Sequence, residues 1–497
     1  MTTLSHSEMN TSLAENLTRI RTTLGNPNDL IIREFTIRPG IRCSLVCIAG
    51  MIDKDLLHRD VLQRVMAFDF SESEPQADRG SVLQLLYSDA LSFQDVRMVT
   101  AFDPLIEAVL SGKSVLLIDG SARALEFGSQ GGPSRGIEEP QTESTVRGPR
   151  DGFTENILTN KTLIRYRIKD PKLRFDSFDI GERSKRQMCV IYIEGLTNPD
   201  LVVEAKRRLQ TIEVDDPEGS GSIEQWIADE FLTPFPLSLE TERPDKITRA
   251  LMQGQAALLV DGTPFGIIFP VTLKHFIHSP EDFYQNWMVA TLLRILRVVA
   301  IFATMFLPAL YIALVEYHQG MIPSKLAFSI AGSREGVPFP AVIEALLMEG
   351  TLELLREAGI RLPKPIGQTI GIVGGLVIGE AAVSAGIVSP VMVIVVAITA
   401  VSSFALPSYT FSISIRIIRF FVMLAAGIFG LYGIILAYIA ISIHIVNLQS
   451  FGVPYASPWV PLILEDWKDL ILRAPVTFLR KRPKLLHAGD QVRMRKK

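Results

Sequence analysis

The sequence predicts an α/β soluble N-terminal region of two related subdomains, followed by an α-helical polytopic membrane domain. Three observations carry this. The chain is charged and mixed up to about residue 286, apolar from Trp287 to about Leu448, and polar again from Pro458. The soluble part contains two stretches that align with each other. The apolar part contains runs long enough, or nearly so, to cross about 30 Å of hydrocarbon as helices.

The 497 residues leave room for about three domains, and 48% of them are hydrophobic, with a mean hydropathy of +0.27 that is high for a wholly soluble protein. The net charge of −3 averages regions of different character. The start "MTTLSHSEMNTSLAENL" (residues 1–40 forming an arm) lacks the basic start and apolar core of a signal peptide, so the soluble half is expected to stay in the cytoplasm. Cys43, Cys47 and Cys189 form no CxxC pair, which predicts neither a disulfide framework nor a thiolate metal site.

The two copies are 41–145 and 188–286, with 146–187 as a connector. "CSLVCIAGMIDKDLL" (43–57) aligns with "CVIYIEGLTNPDLV" (189–202) when Gly50 is set on Gly195, which also superposes Asp55 on Asp200. "LSGKSVLLIDGSARALEF" matches "MQGQAALLVDGTPFGIIF", with Asp119-Gly120 falling on Asp261-Gly262. Each Asp-Gly pair lies between apolar runs and predicts a type I′ hairpin turn, which needs positive φ at both central residues. Helices are expected at 104–111 and 244–252 ahead of the hairpins. The loop "GSQGGPSRG" (128–136) has no following GK[ST], so it reads as a connector and not a phosphate cradle. "VRGPRDGFTENILTN" (146–160) reads as a surface loop entering a short helix.

The transmembrane domain is 287–457. Four spans stand out, at 298–315, 366–388, 390–406 and 420–446. The segment 339–358 carries Val342, Ile343, Leu346, Leu347, Leu354 and Leu355 at helical spacing opposite Glu344, Glu349, Glu353 and Glu357. A lipid-crossing helix should not carry four carboxylates, so this segment reads as an interfacial or re-entrant amphipathic helix, with a fifth crossing left open. The remainder, 458–497, is a basic cytoplasmic tail, with nine Lys or Arg against one Asp from Arg473 onward. Four crossings and the positive-inside rule put both ends in the cytoplasm, although Arg416 and Arg419 would then fall outside. Arg294, Arg297, Arg416 and Arg419 read as membrane-interface anchors.

The span from residue 366 is the most informative. Gly367, Gly371, Gly375 and Gly379 recur every four residues, a ridge of small residues for close helix packing. Val373, Val377, Glu380 and Ser384 share a different stripe and are the candidates for lining a pore. A carboxylate at the depth of Glu380 needs a partner, neutralisation or water; an ion pair with Arg294 or Arg297 and an ion path are the two alternatives. His275 and His278 in "HFIH" lack a carboxylate partner pattern and read as surface or interface residues, not metal ligands. No hydrolytic triad, nucleotide loop or metal signature is present, so no enzyme activity and no cofactor are expected. The residues alone leave a channel, a sensor or a transporter subunit open.

Four segments add a family. "GPRDGFTENILTNKTLIRYRIKDPKL" (148–173), "LPALYIALVEYHQGMIPSKL" (307–326), "SREGVPFPAVIEALLMEGTLELLREAGIRLPKPIGQTIGIVGGLVIGEAAV" (333–383) and "SFGVPYASPWVP" (450–461) closely resemble the A subunits of the spore germinant receptors, the GerA family. The resemblance runs from about residue 30 to 485. It implies a nutrient-sensing complex in the spore inner membrane, with a transporter-like B subunit and a lipoprotein C subunit as partners and no nucleic acid. It also implies an A subunit that assembles as a homo-oligomer around an ion-conducting path, where a ligand-gated opening releases monovalent cations. A scaffold or signal-relay subunit is the alternative, and a secondary transporter is disfavoured because no inverted repeat is visible. The family pattern often carries Gln where this chain has Glu380, which weakens an ionisable role for that position.

Overall fold

The computed structural model describes residues 8–37, 40–67, 79–90, 95–131, 138–361, 375 and 377–494. The chain divides into two compact units. One comprises 1–228, 238–270 and 480–497, and the other 229–237 and 271–479.

The first unit holds two five-stranded antiparallel sheets. In the first, helix α1 (Leu13–Leu24) precedes strands β1 (Leu30–Ile37) and β2 (Ile41–Ile48), followed by β3 (Val96–Val99), helix α2 (Phe102–Leu110), β4 (Ser114–Ile118) and β5 (Ala124–Phe127). In the second, α3 (Ile157–Arg167) precedes β6 (Leu173–Ile180) and β7 (Arg186–Ile193), then α4 (Pro199–Gln210), β8 (Leu239–Thr241), α5 (Pro244–Gln253), β9 (Ala256–Val260) and β10 (Gly266–Phe269). The strand orders, β1-β2-β4-β5-β3 and β6-β7-β9-β10-β8, are the same. Alternation along the strands builds the first core on two faces. Val46, Ile48, Val115 and Leu117 meet α1 and α2, while Leu45, Cys47, Leu116 and Ile118 meet the segments 54–67 and 79–90. The three thiols are unpaired and buried, and burial pushes Cys43 and Cys189 up to about 12 and Cys47 to about 11.

Each copy begins earlier than the sequence suggests. Leu30–Ile37 pairs along its whole length with β2, and Leu173–Ile180 does the same with β7. The described residues before 41 are therefore no arm, and 146–187 is no connector. The "VRGPRDGFTENILTN" segment runs through the Asn156 cap into the first turn of α3, the cap's side chain accepting from the Leu158 and Thr159 amides, and it buries Phe153.

The two Asp-Gly turns also differ from expectation. The pairings Leu117–Ala124 and Leu259–Gly266 leave loops longer than two residues, and only the glycines, at φ 88° and 82°, have positive φ. The aspartates instead cap the leading helices. Asp119 Oδ1 accepts from the Leu13 amide at 3.1 Å, and Asp261 Oδ1 accepts from the Ile157 amide at 3.1 Å. The Gly120 amide donates to Thr11 O and the Gly262 amide to Glu155 O, both at 2.8 Å. Buried Asn16 and Asn160 repeat the correspondence by tying the entry to their helices. Asn16 bonds both backbone groups of Asn10, at 3.0 and 2.6 Å, and Asn160 those of Thr154, at 2.8 and 2.6 Å. A matched set of contacts 142 to 144 positions apart is the mark of a duplicated module, since chance βα patterns share no capping chemistry.

A buried pair clamps the copies together. Arg165 on α3 donates from Nε and Nη2 to both oxygens of Asp29, at 2.9 and 3.0 Å, with both side chains almost fully buried.

The second unit is helical: α6 (Trp287–Glu316), α7 (Ser324–Arg334), α8 (Ala341–Arg361), a helical stretch over 377–384, α9 (Pro390–Phe404), α10 (Tyr409–Phe429) and α11 (Leu431–Asn447). Helix α6 is the hub, packed by α8, α9, α10 and α11. Helices α6 and α10 are long and apolar enough to cross a membrane, and α9 and α11 are shorter apolar helices. The expected single span at 420–446 is two helices. Gly430 at φ 60° breaks it, and a Cβ there would lie 2.9 Å from Tyr317 and His318. The described part of the expected basic tail, 458–494, is bonded into the units and not a separate element. Residues 458–479 belong to the helical unit, while Arg482 Nε donates to Met252 O at 2.8 Å and the Gly489 amide to Leu196 O at 2.9 Å in the soluble unit.

Removing either capping aspartate should destabilise its copy by about 1 kcal/mol, within the ~0.5–2 kcal/mol range of N-cap losses. Hydrogen exchange on the Asp119→Ala and Asp261→Ala chains measures this. Faster exchange is expected at the start of α1 in the first variant and of α3 in the second.

Candidate functional site

Helix α8 sets the site, because its burial is inverted relative to the expected interfacial helix. Glu344 and Glu349 are fully buried beside Ala341, Ala345 and Met348, while Ile343, Leu347 and Leu354 face outward. The carboxylates turn inward because arginines on neighbouring helices wait for them. Glu349 Oε2 meets Arg419 Nη2 at 2.8 Å with both side chains at most 2% exposed, and Glu353 pairs with Arg416. Glu344 meets Arg334 of α7 at 2.9 Å, and its other oxygen accepts from the Ser389 amide at 2.8 Å at the start of α9. Arg356 reaches Ser403 Oγ on α9 at 3.3 Å. One helix thus binds α7, α9 and α10 through charge.

Spacing makes this possible. Glu349 and Glu353 are four apart and Arg416 and Arg419 three apart, so each pair projects from one face of its helix. The cluster of Glu349, Glu353, Arg356, Arg416 and Arg419 keeps unused donors: Arg419 Nε and Nη1 and Arg416 Nε have no hydrogen-bond partner among the described residues. Buried charges of this kind hold only in company, because each alone would bear its full desolvation cost.

A second charged joint sits at the start of α6. Asp282, fully buried, accepts from Arg294 Nε at 3.1 Å and from Arg297 at 2.7 and 2.8 Å. Burial alone would raise the Asp282 carboxyl, but the Arg297 and Arg294 guanidinium groups outweigh it and hold it below its usual range. Arg294 also reaches Asp469 at 2.8 Å and Leu470 O at 3.1 Å. Both arginines are thus committed to aspartates and not to Glu380. His278 Nε2 bonds Leu470 O at 2.9 Å, and burial pushes its ring well below the ordinary histidine range, so it stays neutral. His275 Nδ1 bonds the Thr272 amide at 3.0 Å in a helix cap.

Three comparisons bear on identity. The family model of the Bacillus/Clostridium GerA spore germination protein matches residues 18–485. The chain belongs to the GerA spore germination family. Among relatives, spore germination protein GerLA of Bacillus cereus is 49% identical over 97% of each chain. A Bacillus subtilis (strain 168) protein called uncharacterized membrane protein YfkQ is 40% identical over 96% of this chain and 92% of that one. The crystal structure of the N-terminal domain of the A subunit of the Bacillus megaterium spore germinant receptor GerK3 is 32% identical, covering 54% of this chain and 97% of that one with a TM-score of 0.43.

In this GerA-family chain the four arginines assigned to the membrane interface are all buried in ion pairs. Arg416 and Arg419 lie within α10 and not ahead of a span, since Glu353 and Glu349 offset the cost of including them. Of the candidate stripe, Val377, Glu380 and Ser384 are exposed on the 377–384 helix; Val373 lies outside the described residues. Of the glycine ridge, Gly367 and Gly371 also lie outside them, a Cβ on Gly375 would meet nothing within 4 Å, and one on Gly379 would lie 3.5 Å from Val393 of α9. Sequence reasoning missed the Glu349–Arg419 and Asp282–Arg297 pairs. The signal was present in the carboxylates of α8 and the arginines of an otherwise apolar α10, which need each other.

Arg419→Met should destabilise the helical unit by about 3–5 kcal/mol by stranding Glu349, and the Glu349→Leu/Arg419→Met double variant should recover most of that loss. Unfolding midpoints of the full chain in detergent, run as a double-mutant cycle, measure the coupling.

Proposed function

We propose that this chain is the A subunit of a nutrient germinant receptor in the spore inner membrane. It triggers germination as an oligomeric, ligand-gated ion-channel subunit that releases monovalent cations. The observation that carries this reading is the exposed face of the 377–384 helix, where Val377 is 52% exposed and Glu380 and Ser384 are also exposed. A carboxylate facing lipid is costly, and a Val/Glu/Ser face suits a shared axis between copies better than hydrocarbon. Gly379 turns toward Val393 of α9, leaving that face free to line a path. A ring of valines closes such a path by dewetting, and a ring of carboxylates attracts cations at its mouth.

The membrane setting is supported by α6 and α10 and by the outward apolar face of α8. The soluble unit, the N-terminus and the C-terminus are assigned to the cytoplasmic, spore-core side, and a transporter-like B subunit and a lipoprotein C subunit complete the receptor. Germinant binding in the complex shifts a closed–open equilibrium of this subunit. No catalytic step and no cofactor enter the scheme.

Val377→Ser should wet the closed path. Nutrient-independent cation release is expected to rise about tenfold, equivalent to ~1.4 kcal/mol in the closed–open equilibrium, at unchanged protein abundance. Gly379→Leu should instead reduce abundance, because the approach to α9 is lost. Ion release and immunoblots on the same spores check both. A Val377→Ser protein that is scarce and does not leak favours the alternative, a scaffold or signal-relay subunit without its own path.

A further inference from the structure

Residues 458–479 form only a few short turns, yet they are ordered by their own backbone bonds. Amide to carbonyl bonds run from Ile463 to Pro458, Asp466 to Ile463, Leu470 to Trp467 and Ala474 to Lys468. The segment is fastened to the first turns of α6. Arg294 holds Asp469 and Leu470 O, the Arg473 amide donates to Thr291 Oγ1 at 3.1 Å, and Arg473 Nη1 donates to Gln285 O at 3.2 Å. Leu470 is buried, but most of the segment's large apolar side chains are exposed. Leu462, Leu464, Leu472, Val476 and Phe478 are between 59% and 70% exposed, and Trp467 is 41% exposed.

The depth of this surface follows from α6. Thirty residues make a helix of about 45 Å, against about 30 Å of hydrocarbon. The overhang lies at the N-terminal end, where Arg294 and Arg297 require polar company. The segment fixed to Arg294 is therefore at the level where acyl chains meet headgroups. The beginning of α6, to which the segment is fastened, is itself apolar and exposed at Leu292, Leu296 and Val299, all more than half exposed. Irregular backbone is excluded from the hydrocarbon but tolerated at this level, where water satisfies what the chain does not. An apolar set with a tryptophan and interleaved Glu465, Asp466 and Lys468 is the composition of an interfacial belt.

We propose that the 458–479 segment is a membrane-interface collar whose exposed apolar side chains insert into the headgroup–acyl boundary of a phospholipid bilayer around the entry of α6. It rests on the reading that α6 crosses a membrane. The collar fixes the depth of the Asp282–Arg294–Arg297 joint, so that the charged groups stay in the polar layer.

The test uses the full chain, reconstituted in phosphatidylcholine vesicles, with Trp226, Trp287 and Trp459 replaced by Phe so that Trp467 is the single tryptophan. Lipids brominated near the headgroup should quench Trp467 more strongly than lipids brominated near the chain end. A second chain, carrying Trp467→Phe as well and Phe421→Trp on the outward face of α10, reports the bilayer itself, since Phe421 is 56% exposed. Quenching at position 421 with none at Trp467 overturns the collar and points to a second copy or another protein covering this surface. Quenching at neither position overturns the collar together with the membrane reading on which it rests.

Discussion

A carboxylate and a guanidinium buried on facing helices must meet, and the Glu349–Arg419 contact is the constraint around which the helical unit is arranged. With both side chains out of solvent, neither ion is tolerable alone. The pair fixes the rotation of α8, which must present Glu344, Glu349 and Glu353 to α7, α9 and α10. That rotation leaves Ile343, Leu347 and Leu354 on the outside. The same requirement acts at the start of α6, where Asp282 gathers Arg294 and Arg297 and, through Arg294, the segment around Asp469. Along this part of α8 apolar side chains face outward and Glu344 and Glu349 face inward, the reverse of a soluble bundle and the arrangement a hydrocarbon solvent favours.

The soluble unit obeys a different logic. Its central strands are buried along most of their length, and what repeats between the two sheets is capping chemistry. An aspartate after the fourth paired run of each copy holds the first turn of the leading helix, and a buried asparagine ties the chain entering that helix to its second turn. The aspartate contacts span 106 and 104 positions, each within one copy, whereas the Arg165–Asp29 clamp joins the two. The duplication is therefore retained in the groups that close each copy, while the clamp belongs to the pair.

Part of this was legible from residues. The aligned Gly50 and Gly195, and the matched Asp-Gly pairs, predict two related subdomains, and the strand orders agree. The first strands of each copy were not visible, because "LIIREFTI" and "LRFDSFDI" lie at the sheet edge, where mixed burial blurs alternation. The turn type was misread because Asp-Gly signals a tight hairpin locally, whereas here the aspartate is committed to a helix more than a hundred residues away. In the helical unit, hydropathy found apolar runs but placed the start of a span at residue 420. It counts Arg416 and Arg419 as costs and cannot see the glutamates that offset them. For the same reason the charged face of α8 looked like its water-facing side. The break at Gly430 was hidden too, since a glycine in an apolar run signals packing as readily as a turn.

Whether copies of this chain meet around the face bearing Glu380 is open to thiol cross-linking of a Glu380→Cys chain in membranes with a short bifunctional reagent. Cys43, Cys47 and Cys189 are buried, so a reagent added to the folded protein addresses the new thiol. A shared axis predicts cross-linked dimers from Glu380→Cys and none from an equivalent substitution at Phe421, on the outward face of α10. A Glu380→Cys chain that stays monomeric while a lipid-soluble maleimide labels its new thiol would place this face against hydrocarbon and contradict the shared axis.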